Sequence, residues 1–309
     1  MEFTYNMKTD YRPIPPGEQF EKTVVAEKFH LVTKEKPRHT EGVIFDRIGR
    51  MLYCSGYEGK VFRLNMDSME RECVFFAPDL KPVSVKVHRD GRLFISCLGT
   101  ANKDGRIVVT KEDGTWERDI AVGMPVDDLV FDHEGGFYFT HFVGTVYNPC
   151  GGIYYVSPDL EHMKCFLPHL CSPNGIALST DESILWVTEF TAGRILRIPM
   201  NAIAYGAVVY HTTGYYGPDS ISVDADDNLY VALYESGRIL VLNKDGYPYA
   251  QILMPGREEG KNLLSTHAMV RPGTKELYIS TADDLTDEGS WIMKAPALGE
   301  GNKKAFQFT

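Results

Sequence analysis

The chain has 309 residues, of which 43% are hydrophobic and 12% aromatic, so it has ample apolar material for a large core. Its formal net charge of −10 at pH 7 disfavours nucleic acid and anionic membranes as partners, because binding to either requires clustered Lys and Arg. No run approaches the roughly 18 apolar residues of a membrane span, and the first twenty residues lack the apolar core of a secretory signal. These features indicate a cytosolic protein that handles small molecules or cations.

The first forty residues contain one strand-like run, "KTVVAEKFHLVT" from residue 22. After it, one unit recurs six times: an apolar strand, a polar turn, a second strand rich in aromatic and β-branched residues, a loop, and a third strand often opened by Gly-Arg. The copies begin with "EGVIF" at 41, "VSVKV" at 83, "DDLVF" at 127, "NGIAL" at 174, "DSISV" at 219 and "HAMVR" at 267. Each copy has room for a fourth strand before the next begins.

Repeated four-stranded units without helical periodicity predict an all-β fold, a six-bladed β-propeller with a central channel. We expect residues 1–309 to form a single domain. The segment 1–40 is expected to complete a blade that the C-terminal segment otherwise supplies, which closes the ring and removes exposed strand edges.

Aligning the copies on their first strand places one residue of each in the same position, at spacings of 42 to 48 residues. Equivalent positions of successive blades lie around the propeller axis, so these side chains should converge at one level of the channel. They are Glu41, Val83, Asp127, Asn174, Asp219 and His267.

Three carboxylates and an amide oxygen in a small space predict a cation, because clustered carboxylates otherwise repel one another and their pKa values rise. Oxygen ligands without thiolates favour calcium, magnesium or manganese over zinc, and calcium best tolerates ligands from separate blades. The alternative is a structural role, in which the polar residue merely caps each strand, as in binding propellers of the NHL type. The varied residue types favour one asymmetric site, with apolar Val83 leaving one side open to a substrate.

The cysteines show no CxxC pair and no zinc-like spacing, which predicts free thiols. The six are Cys54, Cys73, Cys97, Cys150, Cys165 and Cys171. A thiolate-bound metal is therefore not expected.

Several longer stretches resemble the senescence marker protein (regucalcin)/gluconolactonase family, and within it the drug-responsive, calcium-dependent lactonase branch. The most specific are "VDDLVFDHEGGFYFTHF", "NGIALSTDESILWVTE" and "DDNLYVALYESGRILVLNKDGYP", and the likeness runs from about Glu41 to the C-terminus. The resemblance implies a calcium-dependent lactonase whose ion is held by Glu41, Asp127, Asn174 and Asp219, with Ser220 adding an oxygen. It also implies that Asp219 is a proton donor or base.

The sequence departs from this branch at one place. Relatives carry a second calcium in an insertion before the Asp127 segment, and "RDIAVGMPVDD" is too short for it. We therefore expect one calcium site, in which other divalent cations can substitute.

In the predicted mechanism, the ion polarises the lactone carbonyl while Asp219 or Asp127 transfers the proton of the attacking water. His267 is a third catalytic candidate, to orient water or assist proton transfer; a histidine satisfied within the core is the alternative. Loops over the channel mouth are expected to bind substrate, and their mainly apolar lining suits an aromatic or apolar lactone as well as a sugar lactone. The lining candidates are Leu98, His141, Phe142, Tyr147, Phe190 and Tyr234.

Three functional classes stay open. The first is the calcium-dependent lactonase, and the second is a related metal-dependent esterase or organophosphorus hydrolase. The third is a non-catalytic propeller that binds a small molecule or a protein, which the carboxylate ring disfavours.

Overall fold

A computed structural model describes residues 13–19, 21–213, 217–283 and 286–303. In these residues the structure consists of strands, turns and short 3₁₀ segments, with no α-helix. The 3₁₀ segments are Pro16–Glu18, Thr100–Asn102, Ile203–Tyr205 and Arg257–Glu259. None of the described elements is a helix long and apolar enough to cross a membrane.

The strands form six small sheets, each a meander in which consecutive strands pair in antiparallel fashion. The chain enters through β1 (Lys22–Val25) and β2 (Glu27–Thr33). The first sheet then consists of β3 (Thr40–Phe45), β4 (Met51–Ser55), β5 (Lys60–Leu64) and β6 (Arg71–Phe76). The second consists of β7 (Pro82–Val87), β8 (Leu93–Cys97), β9 (Arg106–Thr110) and β10 (Trp116–Ile120).

The remaining four sheets follow in chain order. The third consists of β11 (Val126–Phe131), β12 (Phe137–His141), β13 (Gly151–Val156) and β14 (Met163–Leu170). The fourth consists of β15 (Pro173–Leu178), β16 (Ile184–Glu189), β17 (Arg194–Pro199) and β18 (Ala207–His211). The fifth consists of β19 (Pro218–Val223), β20 (Leu229–Leu233), β21 (Arg238–Leu242) and β22 (Pro248–Leu253), and the sixth contains β23 (Ser265–Val270), β24 (Glu276–Thr281) and β25 (Ser290–Pro296).

The two N-terminal strands join the last two sheets. Strand β2 pairs in antiparallel fashion with β25 as the fourth strand of the sixth sheet, and β1 adds to β22 in parallel. The first strands of the six sheets contact one another in order, and β23 returns to contact β3. The contacts close a ring around a central channel, so the prediction of an all-β, six-bladed propeller is confirmed.

Large buried side chains fill the spaces between neighbouring sheets. Tyr53 and Phe62 of the first sheet pack with Tyr278 and Ile292 of the sixth, which joins the first and last sheets of the ring. At about 25 cal/mol for each Å² of apolar surface buried, such contacts are the main stabilising term for the ring. All six cysteines are free, as predicted.

Each innermost strand carries a β-bulge near its start, where one extra residue interrupts its pairing with the next strand. Counting back from the last paired residue of each strand gives two equivalent positions, which we call the first and second bulge positions in chain order. The first bulge position is occupied by Glu41, Val83, Asp127, Asn174, Asp219 and Thr266. The second bulge position is occupied by Gly42, Ser84, Asp128, Gly175, Ser220 and His267. The sequence alignment of His267 with Glu41 is therefore wrong by one residue, because Thr266 holds the equivalent place.

Candidate active site

Three buried carboxylates meet at the start of the innermost strands. Glu41, Asp127 and Asp219 each offer an oxygen atom, and these atoms all lie within 4.8 Å of one another. All three side chains are at most 4% exposed. They come from β3, β11 and β19, so three separate sheets bring them together. We call these residues the carboxylate cluster.

Asn174 and Ser220 complete the cluster with neutral oxygens. The Ser220 hydroxyl donates to Glu41 Oε1 at 3.3 Å, and its Oγ lies 3.5 Å from Asn174 Oδ1. All five residues predicted to hold a metal are therefore close together.

Hydrogen bonds between blades hold the first bulge positions in place. The Thr140 hydroxyl donates to the backbone oxygen of Asn174 at 2.7 Å, and the Thr188 hydroxyl donates to that of Asp219 at 2.8 Å. Gly42 shows why a glycine follows Glu41: its φ is +65°, and a Cβ there would lie 2.7 Å from the backbone oxygen of Val83. A larger residue at position 42 would keep β3 and β7 from approaching each other this closely.

Burial and mutual repulsion shift the proton affinities of the carboxylate cluster. Burial, followed by the charges of Asp219 and Asp127, raises the pKa of Glu41 well above its usual range. Burial and the neighbouring Asp128 raise the pKa of Asp127 to about 8. The pKa of Asp219 is also raised, mainly by burial and then by Asp127, although hydrogen bonding from Asn174 acts in the opposite direction. The cluster therefore lacks the positive charge that three ionised carboxylates require.

The donor atoms suit a hard divalent cation. Every side chain in the cluster offers oxygen, and among the described residues the buried Oδ1 of Asp127 has no hydrogen-bond partner. A cation beside this buried carboxylate oxygen would supply the positive charge that the cluster lacks and would also give the oxygen a partner. The residues present thus fit calcium or a similar ion.

Two basic side chains near the carboxylate cluster were missed by sequence reasoning. His39 Nε2 lies 3.5 Å from Glu41 Oε2, and burial, aided by the charge of Lys81, lowers the pKa of His39 to about 3. The Lys81 ammonium lies over the ring of Tyr57, 5.2 Å from its centroid. Both basic residues lie just before an innermost strand, since β3 begins at Thr40 and β7 at Pro82, so alternation along the strands did not point to them.

Three of the predicted lining residues form a connected aromatic row. The rings of Phe142 and Phe190 are 5.9 Å apart, and those of Phe190 and Tyr234 are 5.6 Å apart. Burial, and secondarily the charge of Asp219, raises the pKa of Tyr234, so this row ends beside the carboxylate cluster. An apolar surface therefore adjoins the candidate metal ligands.

The other predicted lining residues differ in their surroundings. His141 packs against the ring of Tyr154 at 6.0 Å, and burial lowers its pKa. Leu98 is buried, whereas the side chain of Tyr147 is 96% exposed. Substrate contact by His141 and Tyr147 remains a prediction.

His267 faces a different part of the channel. Its ring is 1% exposed and lines a cavity that contains none of the carboxylate cluster residues. The catalytic role predicted for His267 remains a prediction, and this placement does not support it. This cavity therefore lies away from the carboxylate cluster.

Comparisons with known proteins agree with this description. Residues 39–283 match the family described as SMP-30/Gluconolactonase/LRE-like region. The chain is 44% identical over 298 residues to the protein named lactonase drp35 of Staphylococcus haemolyticus, covering 93% of this chain and 91% of that protein. It is 43% identical over 296 residues to lactonase drp35 of Staphylococcus aureus strain COL, with the same coverage.

Solved structures share the fold at low sequence identity. A calcium-binding protein, regucalcin, from Agrobacterium tumefaciens superposes with a TM-score of 0.72 at 16% identity, covering 91% of this chain and 98% of that one. A gluconolactonase from Xanthomonas campestris superposes with a TM-score of 0.70 at 17% identity, covering 89% and 96%. From the match over most of its length and from these relatives, we conclude that the chain belongs to the SMP-30/gluconolactonase/LRE-like family.

Proposed function

We propose that the protein is a calcium-dependent lactonase that hydrolyses the ester bond of a small lactone at the carboxylate cluster. The observation that carries the proposal is the meeting of three buried carboxylate oxygens within 4.8 Å. The names of relatives at 43 to 44% identity, which are lactonases, support the reaction type.

Glu41, Asp127, Asn174, Asp219 and Ser220 would hold the ion. Asn174 and Ser220 supply oxygens without adding charge, which limits the repulsion among the three carboxylates. A bound divalent cation supplies Lewis-acid polarisation of a carbonyl oxygen.

Proton transfer is assigned to one of two carboxylates. Asp219 accepts a hydrogen bond from Asn174, which orients its carboxylate within the cluster. Asp127 is the other candidate, since its carboxylate is buried in the same cluster beside Asp219. Either residue could take the proton of the attacking water and return it to the ring oxygen as the ester bond breaks.

The aromatic row favours a lactone with an apolar part. Phe142, Phe190 and Tyr234 offer ring faces and edges beside the carboxylate cluster, and such surfaces bind aromatic or alkyl groups. A sugar lactone would leave much of this surface in contact with polar hydroxyls. The same surface would also accept an aryl ester, so esterase activity is the second candidate function.

A substrate panel tests the proposal. Initial rates should be measured with aromatic lactones, sugar lactones, aryl acetates and aryl phosphates, using calcium-loaded protein, chelated protein, and chelated protein after calcium is restored. We expect the highest kcat/KM with an aromatic or alkyl-substituted lactone, loss of hydrolysis on chelation, and recovery with calcium. Full activity in protein shown to be metal-free by elemental analysis would refute the metal requirement, and a preference for aryl acetates or phosphates would replace lactonase by the second function.

A further inference from the structure

A cavity of about 570 Å³ lies at the far end of the central channel from the carboxylate cluster. The innermost strands start at the cluster and end at this cavity. Phe45 lies four residue steps after Glu41, which is about 13 Å along a strand. We call it the lower cavity. Its volume lies within the range of roughly 300 to 1,000 Å³ that small-molecule sites occupy in proteins.

The wall of the lower cavity follows from strand alternation. Residues two positions beyond the second bulge position face the channel again, because side chains alternate along a strand. All six of these residues line the cavity, and most are apolar or small: Ile44, Lys86, Val130, Ala177, Ser222 and Met269. This ring is therefore mainly apolar with one cationic side chain, whereas the other ionisable residues of the wall, His133, Asp181 and Glu182, lie in the turns that follow β11 and β15.

The charge of Lys86 is balanced within the chain. Its ammonium lies 2.8 Å from Asp128 Oδ1, which also accepts a hydrogen bond from the Ser84 hydroxyl at 2.6 Å. Asp128 is fully buried, so this pair is held firmly at the inner end of the cavity. A ligand of either charge would gain little from an already neutral pair and would lose its own hydration.

His267 offers the unused hydrogen-bonding capacity. Its side chain lines the cavity and is buried, and among the described residues neither ring nitrogen makes a hydrogen bond of good geometry. Burial, and then the charge of Lys86, lowers the pKa of His267 well below its usual range, although the backbone carbonyl of Val43 acts the other way. A neutral imidazole presents one N–H donor and one acceptor nitrogen.

We propose that the lower cavity is a second small-molecule site, which binds an uncharged, mostly apolar molecule whose hydroxyl or carbonyl group hydrogen-bonds to His267. The apolar ring supplies the surface for the body of the ligand, and the imidazole supplies its orientation. A buried polar group without a partner destabilises the folded protein, so a ligand that pairs with His267 favours an occupied cavity.

This site is distinct from the carboxylate cluster. None of Glu41, Asp127, Asn174, Asp219 and Ser220 lines the lower cavity. The residues at the second bulge position, among them Asp128 and His267, lie between the two ends of the channel. The ligand of the lower cavity is therefore separate from the proposed lactone, and its binding does not depend on the proposed function.

Titration calorimetry of the calcium-loaded full-length protein with 2-naphthol tests the proposal, with naphthalene as the probe that lacks the hydroxyl. We expect a saturable 2-naphthol site that persists after chelation and in Asp219→Asn, with a Kd of about 100 μM, in line with the binding energy available to a ligand of this size. His267→Phe keeps an aromatic ring and removes both nitrogens, so it should weaken 2-naphthol binding about tenfold and leave naphthalene binding unchanged. Met269→Trp should abolish binding of both probes by filling the cavity.

Three outcomes would overturn the proposal. The first is the absence of saturable 2-naphthol binding, which would mean that water alone satisfies His267. The second is an equal effect of His267→Phe on both probes. The third is loss of 2-naphthol binding on chelation or in Asp219→Asn, which would place the probe at the carboxylate cluster instead. The paired probes keep the test decisive even if Met269→Trp does not fold.

Discussion

At one end of the channel the innermost strands present Glu41, Asp127 and Asp219, and at the other end the same strands present Ile44, Val130 and Ser222. At either end, the backbone is nearly equivalent from blade to blade, since every blade repeats the same bulge and the same alternation. What differs is the residue type at a few positions. The propeller thus supplies a ring of equivalent positions, and substitutions at those positions decide the chemistry.

The two ends also balance charge in different ways. Lys86 and Asp128, next to the lower cavity, form a pair within the chain at 2.8 Å. Among the described residues, the basic side chain in direct contact with the carboxylate cluster is His39, and burial keeps that imidazole neutral by lowering its pKa to about 3. The Lys86–Asp128 pair is neutral without a ligand, whereas the carboxylate cluster is expected to need a cation.

The largest effect is expected from breaking the pair at the lower end. Lys86→Met should destabilise the protein by about 3 kcal/mol, because it leaves the fully buried Asp128 carboxylate without its counter-charge. The double variant Lys86→Met with Asp128→Asn removes both charges and should recover most of the loss. Urea denaturation of the calcium-loaded proteins measures both effects. A single variant as stable as the parent would show that the pair contributes nothing to the charge balance described above.

A comparable effect, on turnover rather than stability, is expected at the carboxylate cluster. Asp219→Asn keeps the shape and an oxygen ligand but removes a charge and the capacity to accept a proton. We expect it to fold and retain some metal while kcat on the best lactone falls at least about 100-fold. Asp245→Asn makes the same chemical change at an exposed turn of the same sheet and is the control. Wild-type kcat in metal-loaded Asp219→Asn would exclude Asp219 as the proton-transfer group.

The pH dependence of stability should separate metal-free from calcium-loaded protein. Without metal, the raised pKa values of the carboxylate cluster, about 8 for Asp127, mean that the folded state binds protons more tightly than the unfolded state. This contribution to stability is complete below the ordinary carboxyl pKa of about 4 and is lost as the pH rises to about 8. Calcium needs the ionised carboxylates, so its stabilising effect should grow over the same interval.

Differential scanning fluorimetry with and without chelator, at pH 5 to 8, measures that contrast. The Tm of the chelated protein should fall relative to the loaded protein as the pH rises, with a difference of several degrees by pH 8. Using the difference cancels titrations common to both forms. Parallel Tm curves would show that the cluster does not need a cation.

Sequence patterns were sufficient for the fold and for most of the candidate site. The spacing of the repeats predicted the six blades, and varied oxygen-bearing residues at one strand position predicted that Glu41, Asp127, Asn174 and Asp219 would meet. The assignment of His267 to that level was wrong by one residue, because the register of β23 places Thr266 at the first bulge position and His267 at the second. The lower cavity depends on how side-chain volumes fill a ring, which no local pattern encodes.

The loops were predicted least well. Substrate contact by Tyr147, which is 96% exposed, is still a prediction, and His39 and Lys81 were overlooked although they lie close to the cluster. Lys81 has a φ of +48°, in the left-handed region, which changes the direction of the chain just before β7. Such local turns are set by contacts with neighbouring loops rather than by periodicity.

The smallest effect is expected at the one apolar residue of the first bulge position. Val83→Ala shortens a fully buried side chain in the same ring as the metal ligands, but it removes neither an oxygen nor a charge. We expect a loss of stability of about 1 kcal/mol from the small cavity and a change in kcat of no more than a few-fold. Steady-state kinetics on the same lactone as for Asp219→Asn makes the two variants directly comparable. If Val83→Ala lowered kcat as much as Asp219→Asn does, packing of the ring rather than its oxygen donors would control turnover, and the distinction between ligand and bystander positions would fail.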